Sequence, residues 1–294
     1  MNSTIVGIGE ALWDVFLKEN TKRIGGAPAN FAYHASQFGF ESFAVSAIGH
    51  DELGDDILKN FDDKYLNYLI ERVGQETGSV LVRSDSNNET TYEIKENVAW
   101  DFIPYTPKLE QLAQRTKVVC FGSLAQRNAV SRDTINRFID AIPTANRPLI
   151  VYDINLRQNF YSKEILQTSF EKSNILKLND SELDIISRMF EIPFINPVDR
   201  CRILLAKFNF DIVILTCGDQ GSRVITKDSY FVEFSPQVEV KSTVGAGDSF
   251  TASFVASLLK GRSVVEAQHI ATQVSAYVCT EVGAMPKIPE EYLK

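Results

Sequence analysis

Short apolar segments alternate along the chain with longer amphipathic ones. The apolar segments predict buried strands, at Ile5–Ile8, Ser42–Ile48, Lys117–Phe121, Leu149–Tyr152, Ile175–Lys177 and Ile212–Thr216. The amphipathic segments predict helices, at Pro28–Phe38, Leu53–Phe61, Arg132–Ala141, Lys163–Lys172, Ser181–Phe190, Val198–Phe208, Phe250–Leu259 and Val264–Glu281. Continuous apolar strands separated by helices are typical of a mostly parallel sheet covered on both faces, so the predicted fold class is α/β.

Two regions depart from this rhythm. Gly78–Arg83 and Glu89–Ile94 alternate polar and apolar residues around a Ser86-Asn87-Asn88 turn, which predicts a β-hairpin. Together with Trp13–Lys18 this hairpin would form a small sheet, built from residues 12–24 and 77–101. Such a sheet is either a lid over a cleft or an edge hairpin with no moving role, and the pattern does not choose between them. Ser222–Thr226 and Tyr230–Phe234 predict an antiparallel edge of the main sheet.

Composition and charge restrict the classes of partner that we expect. Of 294 residues, 44% are hydrophobic and 23% charged, which is ordinary for a globular protein. The formal net charge of −8 argues against nucleic acid as a partner. The four cysteines have no metal-ligand or disulfide spacing, and no apolar run is long enough to span a membrane. We therefore expect a cytoplasmic protein with neither a nucleic-acid nor a membrane partner.

The segment Thr243–Phe250 contains the most specific chemical signal. Gly245, Ala246 and Gly247 run directly into a predicted helix, where unpaired backbone N–H groups and the helix dipole favour an anion. Asp248 follows at once, in a position to take a proton from an incoming hydroxyl group. This combination predicts phosphoryl transfer, although a tight turn with Asp248 or Ser249 as the helix N-cap would give the same short pattern.

A second set of polar residues follows the first strand. Glu10 and Asp14 fall near its carboxyl end, where ligands bind on parallel sheets, and a carboxylate there accepts hydrogen bonds from vicinal hydroxyls. The alternative, a solvated acid in the loop, fits Glu10 better than Asp14. Gly25-Gly26-Ala27-Pro28-Ala29-Asn30 opens the first helix, with glycines that admit a ligand close to the backbone and an amide suited to a polyol.

These motifs together resemble a known family. The segments Gly25–Asn30 and Gly245–Asp248 are similar to the two signatures of the ribokinase-like (PfkB) carbohydrate kinases, and the resemblance covers essentially the whole chain. Gly49–Gly54, Asn179–Glu182 and Thr216–Gly221 resemble three further family motifs, in the same order. The segments Gly9–Asp14, Gly25–Asn30, Ala99–Asp101 and Asp153–Arg157 look most like those of bacterial fructokinases.

The resemblance implies a fold, a reaction and roles for individual residues. It implies one ribokinase-like domain over residues 1–294, with a β-sheet lid, that transfers phosphate from ATP to a primary sugar hydroxyl with the help of Mg²⁺. Asp248 would be the base and the amides of Gly245, Ala246 and Gly247 the anion hole. The sugar would be held by Asp14, Gly25, Gly26 and Asn30. The nucleotide would be bound by Lys177, Asn179, Glu182, Thr216, Gly218 and Gly221.

Four further expectations concern charge and assembly. Arg157 follows a strand, where its guanidinium would clamp phosphate or sugar oxygens, unless it makes only a surface salt bridge. Glu182 would hold Mg²⁺ through water. Ser242 stands where family members carry an aspartate that helps to bind a monovalent cation, so dependence on K⁺ is in doubt. Family members often dimerise through the lid, and the apolar residues of the 78–94 hairpin permit a homodimer.

The sequence predicts the substrate less precisely than the reaction. The fructokinase-like motifs favour D-fructose as the acceptor and fructose 6-phosphate as the product. Ribose, a keto-deoxy sugar acid or a nucleoside are alternatives on the same fold. A sugar-sensing protein that has lost catalysis is a further alternative, for which Ser242 is the support.

Overall fold

The computed structural model describes residues 3–84 and 90–293. Its strands are β1 (Thr4–Ile8), β2 (Leu12–Phe16), β3 (Thr21–Gly25), β4 (Glu41–Ile48), β5 (Asn67–Arg72), β6 (Gly78–Ser84), β7 (Thr90–Ile94), β8 (Thr116–Phe121), β9 (Leu149–Asp153), β10 (Ile175–Asn179), β11 (Ile212–Thr216), β12 (Ser222–Thr226) and β13 (Tyr230–Glu233). Its α-helices are α1 (Ala27–Gln37), α2 (Glu52–Asp63), α3 (Pro107–Arg115), α4 (Ala129–Asp140), α5 (Lys163–Lys172), α6 (Asp180–Met189), α7 (Pro197–Phe208), α8 (Ala246–Leu259), α9 (Val264–Cys279) and α10 (Glu290–Leu293).

The large sheet has the strand order β13-β12-β11-β10-β9-β8-β1-β4-β5. Within that strand order, β11, β10, β9, β8, β1, β4 and β5 run parallel, whereas β12 and β13 form an antiparallel edge. The strands β1, β9, β10 and β11 therefore end on the same side of the sheet, where parallel sheets bind their ligands.

Alternate residues of each central strand face opposite sides of the large sheet. In β8, Val119 and Phe121 belong to the core that the sheet forms with α3, α4, α5, α6 and α7. Val118 and Cys120 belong instead to the core shared with α1, α8 and α9. Both faces are covered, which is why these strands are mostly apolar on both sides.

The small sheet has the order β3-β2-β6-β7. Its central pair, β2 and β6, is parallel, and the two outer pairs are antiparallel. The indole N–H of Trp13 in β2 donates to the Leu53 carbonyl at 2.9 Å, which ties this sheet to the start of α2. Leu12, Val80 and Ile94 line the cleft between the two sheets, so the small sheet roofs that cleft.

The structure confirms the α/β class, the mostly parallel sheet and the small additional sheet. The predicted turn at residues 86–88 lies outside the described residues. Three elements were not predicted from the sequence: β5, which is half-buried and polar in part, α3 and the short α10. The helix predicted to start at Arg132 begins three residues earlier, because the Asn128 side chain accepts from the Val130 amide. No helix among the described residues has the length and apolarity needed to cross a membrane.

Candidate active site

A cleft of about 1100 Å³ lies at the carboxyl ends of the parallel strands, beneath the small sheet. The predicted site residues that line it are Asp14, Gly25, Gly26, Asn30, Arg157, Lys177, Asn179, Glu182, Thr216, Gly218, Gly221, Gly245, Ala246, Gly247 and Asp248. These residues come from segments up to about two hundred positions apart, and the sheet topology brings them to one place. Ser242 is not among the residues that line the cleft.

Asp248 occupies the first turn of α8 and faces the first turn of α1. The Asn30 amide Nδ2 donates to Oδ2 of Asp248 at 2.7 Å. Burial and the nearby Asp153 carboxylate raise the pKa of Asp248 to about 6, while Asn30, Lys177 and Arg157 act in the opposite direction. A carboxylate with this pKa is a stronger base than an ordinary aspartate and is still ionised at neutral pH.

The turn before Asp248 carries the residues of the predicted anion hole. Gly245 caps α8 in the left-handed region, with φ of 82°. The first hydrogen bond of the helix runs from the Ser249 amide to the Gly245 carbonyl, at 2.8 Å. The Ala246 amide donates to the Thr243 carbonyl at 3.3 Å, whereas no described residue accepts from the Gly245 amide or the Gly247 amide. These two amides are therefore open to an anion.

Lys177 supplies a positive charge directly beside this turn. Its ammonium lies only 2.8 Å from the point where a Cβ atom on Gly247 would stand. Asp153 at the end of β9 holds the ammonium at 3.1 Å, and Thr251 donates to the other oxygen of Asp153 at 3.3 Å. Burial alone would lower the pKa of Lys177, but the carboxylates of Asp153, Glu182 and Asp248 raise it overall. The Lys177 ammonium is thus a fixed positive charge beside the predicted anion hole.

The opposite end of the cleft is lined by acids and by close-packed glycines. Asp14 of β2 is half-buried, and burial raises its pKa to about 6 against the opposing effects of Arg157 and Arg23. Its Oδ2 lies 2.9 Å from the position of a Cβ on Gly25, so a side chain there would displace the carboxylate. A Cβ on Gly26, where φ is 115°, would lie 2.3 Å from the Glu10 carbonyl oxygen.

Glu10 does not occupy a solvated loop position. It is only 3% exposed, and its Oε1 accepts from the Ala27 amide at the start of α1, at 3.3 Å. The residues next to Glu10 in the chain do not reveal that the start of α1 packs over it.

The loop after β9 carries Arg157 to the edge of the cleft. Arg157 is exposed and donates to the Leu156 carbonyl at 3.0 Å. Asn155 and Gln158 on either side have positive φ angles of 45° and 48°, a conformation that costs energy outside glycine. The Leu156 amide donates to Oε1 of Glu182 at 2.9 Å, so α6 holds this loop in place.

Asn179 and Glu182 form a reciprocal cap on α6. Oδ1 of Asn179 accepts from the Glu182 amide at 2.9 Å, and Oε2 of Glu182 accepts from the Asn179 amide at 2.8 Å. Both oxygens of Glu182 therefore already accept a backbone amide. This arrangement fits a Mg²⁺ ion whose water molecules, rather than the ion itself, contact the carboxylate.

The segment Thr216–Gly221, the nucleotide loop predicted from the sequence, forms a tight turn after β11. The Cys217 amide donates to the Gly221 carbonyl at 2.8 Å, which closes the turn. Gly221 has a φ of 79°, and a Cβ there would lie 2.0 Å from the Glu233 carbonyl oxygen. Thr216 and Gly218 line the cleft at the end of β11, whereas β1 lies on the other side of β10 in the order of the large sheet.

Comparison with known proteins identifies the family. A model of the pfkB family carbohydrate kinases matches residues 15–291. The chain belongs to the pfkB family of carbohydrate kinases. It is therefore a sugar kinase, with the ribokinase-like fold that its motifs predicted.

Individual relatives agree with this assignment. An ATP-dependent 6-phosphofructokinase of Thermoanaerobacterium thermosaccharolyticum is 29% identical over 278 residues, covering 92% of this chain and 83% of that protein. Fructokinase-1 of Zea mays is 25% identical over 303 residues, covering 98% and 91%. A crystal structure of fructokinase with bound ATP from Xylella fastidiosa superposes with a TM-score of 0.88 at 19% identity, covering 100% of this chain and 98% of that one.

Three residues of this pfkB kinase lie in or beside the site but received no role from the sequence. Asp153 belongs to a fructokinase-like motif and follows a buried strand directly, which was a usable signal. Thr251 lies four residues after Gly247, and helical periodicity places it on the same side of α8. Glu10 gave no signal of burial. All three act through contacts between distant segments, which a single sequence does not reveal.

Proposed function

We propose that this pfkB kinase transfers the γ-phosphate of ATP to the primary hydroxyl of D-fructose, giving fructose 6-phosphate. The observation that carries the proposal is Asp248, a buried carboxylate beside an open backbone amide and a fixed ammonium. A base, an anion hole and a cation at one point are the parts that phosphoryl transfer to an alcohol requires.

The geometry supports the following reaction. Asp248 removes the proton of the sugar hydroxyl as its oxygen attacks the γ-phosphorus of ATP. The bond from that phosphorus to the β–γ bridging oxygen breaks, and ADP leaves. The Gly247 amide and the Lys177 ammonium stabilise the negative charge on the transferring group. When bound, Mg²⁺ would neutralise charge on the phosphates, held through water by Asn179 and Glu182.

Two features favour a neutral sugar as the acceptor. Asp14 and the Asn30 amide present hydrogen-bonding groups to a polyol at the end of the cleft away from the nucleotide loop. Among the described residues that line the cleft, the cations are Arg157 and Lys177, and Lys177 is already paired with Asp153. A sugar that carries its own phosphate would depend on Arg157 alone for a positive partner.

The small sheet would act as a lid in this reaction. Leu12, Val80 and Ile94 present apolar side chains to the cleft, and closing them over the sugar would exclude water from the phosphoryl group.

An acceptor panel with coupled detection of ADP tests the proposal. The panel contains D-fructose, ribose, a keto-deoxy sugar acid, a nucleoside and fructose 6-phosphate, each with ATP, Mg²⁺ and K⁺. We expect the highest kcat/KM for D-fructose, by at least about tenfold, and ³¹P NMR of the product should show a single sugar 6-phosphate. A clear preference for another acceptor would reject fructose, and sugar binding without ADP formation would favour the catalytically silent sensor.

A further inference from the structure

Glu10 is a buried acid that the proposed reaction does not use. It is 3% exposed, and its Oε1 accepts from the Ala27 amide. Its other oxygen, Oε2, is buried and has no donor among the described residues. An ionised carboxylate in this position would keep a desolvated acceptor unsatisfied, which is costly.

A second buried acceptor is without a donor on the same helix turn. Asn30 is 3% exposed, and its Nδ2 donates to Asp248, so the amide oxygen Oδ1 points away from Asp248. That Oδ1 is also buried and has no donor among the described residues. Asn30 follows Ala27 by three residues, so the two share one face of α1, and the Asn30 side chain leans toward the helix start, where Glu10 sits.

The first turn of α1 packs tightly against the backbone around Glu10. A Cβ on Gly26 would lie 2.3 Å from the Glu10 carbonyl oxygen, and a Cβ on Gly9 would lie 2.8 Å from Cγ of Pro28. The strand end and the start of α1 are therefore in direct contact. Glu10 and Asn30 both line the cleft, and a single proton between their two unsatisfied acceptor oxygens would relieve both.

We propose that Glu10 is a positioning residue that stays protonated and donates from Oε2 to Oδ1 of Asn30, thereby holding the Asn30 amide toward Asp248. The carboxyl proton fixes which end of the Asn30 amide faces α1 and which faces α8. Asp248 then receives a hydrogen bond from Nδ2 and keeps its position for the sugar hydroxyl.

The surrounding charges agree with a neutral Glu10. Burial and the Asp248 carboxylate raise its pKa to about 7, whereas backbone N–H groups, including that of Ala27, and Arg157 lower it. The remaining titratable group that faces it is the Cys120 thiol of β8, whose pKa lies well above its usual range because of burial. Between about pH 6 and pH 7 the site then keeps a proton on Glu10 while Asp248 is ionised.

The substitution Glu10→Gln tests the proposal, because a glutamine amide reproduces the donor and the acceptor of a protonated glutamate. The effect on turnover rests on the proposed kinase function. We expect kcat/KM of Glu10→Gln within about threefold of the wild type at pH 6.5, with loss of the decline that the wild type shows above about pH 7. Glu10→Ala should lose at least about tenfold, and Glu41→Gln, at the opposite end of the sheet, should change neither rate nor profile. A large loss of kcat/KM in Glu10→Gln, or a decline above pH 7 that this variant retains, would show that Glu10 does not carry the proposed proton.

Carbon-13 NMR tests the proton without any turnover. With ¹³Cδ-labelled glutamate, one carboxyl resonance of the wild type should titrate with a midpoint near pH 7, and the variants below distinguish it from Glu182, whose pKa burial also raises. That resonance should be missing in Glu10→Gln or, if this variant fails to fold, in Glu10→Asp. If no glutamate titrates above pH 6, Glu10 is ionised and the proposal is wrong, whichever sugar the enzyme phosphorylates.

Discussion

Nδ2 of Asn30 donates to Oδ2 of Asp248 at 2.7 Å, although 218 positions separate the two residues in the chain. This hydrogen bond joins the first turn of α1, which we propose holds the sugar, to the first turn of α8, which we propose binds the phosphate. The acceptor hydroxyl and the transferring phosphoryl group would therefore meet at one carboxylate.

Replacing Asp248 with Asn should abolish turnover while leaving sugar binding measurable. The amide keeps the shape and still accepts from Asn30, but it no longer removes a proton. We expect kcat to fall by about 10²- to 10⁴-fold, measured by ADP release, with sugar affinity from calorimetry changed little. Near-normal turnover would remove Asp248 from the role of base, and Asp228→Asn, in the β12–β13 turn, serves as the matched control.

The same variant should be more stable than the wild type at high pH. The folded-state pKa of Asp248 is raised to about 6, so the folded protein binds more protons than the unfolded chain between about pH 4 and pH 6. This residue therefore lowers stability progressively as the pH rises through that window. The gain in melting temperature of Asp248→Asn should be larger at pH 8 than at pH 4, and an equal gain at both would contradict the raised pKa.

The rate of the enzyme should rise with pH through about 6. Asp248 acts as a base only when ionised, and Asp14, whose pKa is also about 6, accepts hydroxyl hydrogen bonds best in the same form. We expect log kcat/KM for the sugar to increase from pH 5 to pH 7 with an apparent pKa near 6. If log kcat/KM instead rose with an apparent pKa near 4, the pKa of neither carboxylate would be raised.

Gly245→Ala should destabilise the fold and inactivate the enzyme. Gly245 has a φ of 82°, and a Cβ would lie 2.5 Å from the Ala284 carbonyl oxygen, which is backbone and cannot rotate away. Gly261 is a matched control, since it also has a φ of 82° but nothing within 4 Å of its Cβ position. Urea unfolding should show about 1–2 kcal/mol lost in Gly261→Ala and about 1–3 kcal/mol more in Gly245→Ala. Equal losses would show that the Ala284 contact is unimportant.

Lys177→Met should lower both activity and stability, for separable reasons. Loss of the ammonium removes charge stabilisation from the phosphoryl group, and it leaves Asp153 buried without its partner, which costs about 3–5 kcal/mol. Adding Asp153→Asn should restore much of the stability but not the activity. Lys172→Met, which breaks a surface pair with Asp140, should cost at most about 1 kcal/mol and leave kcat unchanged. Activity that returns with stability in the double variant would assign Lys177 a purely structural role.

Ser242 makes a specific prediction about monovalent cations. Its Oγ accepts from the Val244 amide at 3.3 Å, so it offers a cation only a shared, uncharged oxygen. We expect K⁺ to activate the wild type weakly over Na⁺, and Ser242→Asp to respond more strongly because it adds a carboxylate. Strong and equal activation of both proteins would show that residue 242 does not influence the cation.

The sequence predicted the elements that have a single, strong local signal. The central strands are mostly apolar because both faces of the sheet are covered, and most helices carry a clear periodicity. The strand β5 was missed because it is half-buried and partly polar at one edge. The helix α3 did have a signal, a Thr106 cap followed by Pro107 at the first helical position, which the apolar pattern alone does not detect.

The site was predictable where a motif holds its own chemistry, and not where the chemistry depends on contacts. Gly245–Asp248 and Gly25–Asn30 predict an anion site and a polyol site from their residue types. The pairing of Lys177 with Asp153, and the burial of Glu10 under α1, arise from the packing of segments that are distant in the chain. Such contacts follow from the sheet order, which no local pattern contains.

That sheet order also has a consequence for how the enzyme becomes active during folding. The strand β1 lies between β4, the next strand of the large sheet along the chain, and β8, which is formed only from residue 116 onward. Contacts of such large sequence separation close slowly, because the loop entropy is lost before the strands pair. In refolding experiments we expect helical circular dichroism to recover first, and catalysis to return only when the last helices dock against α1.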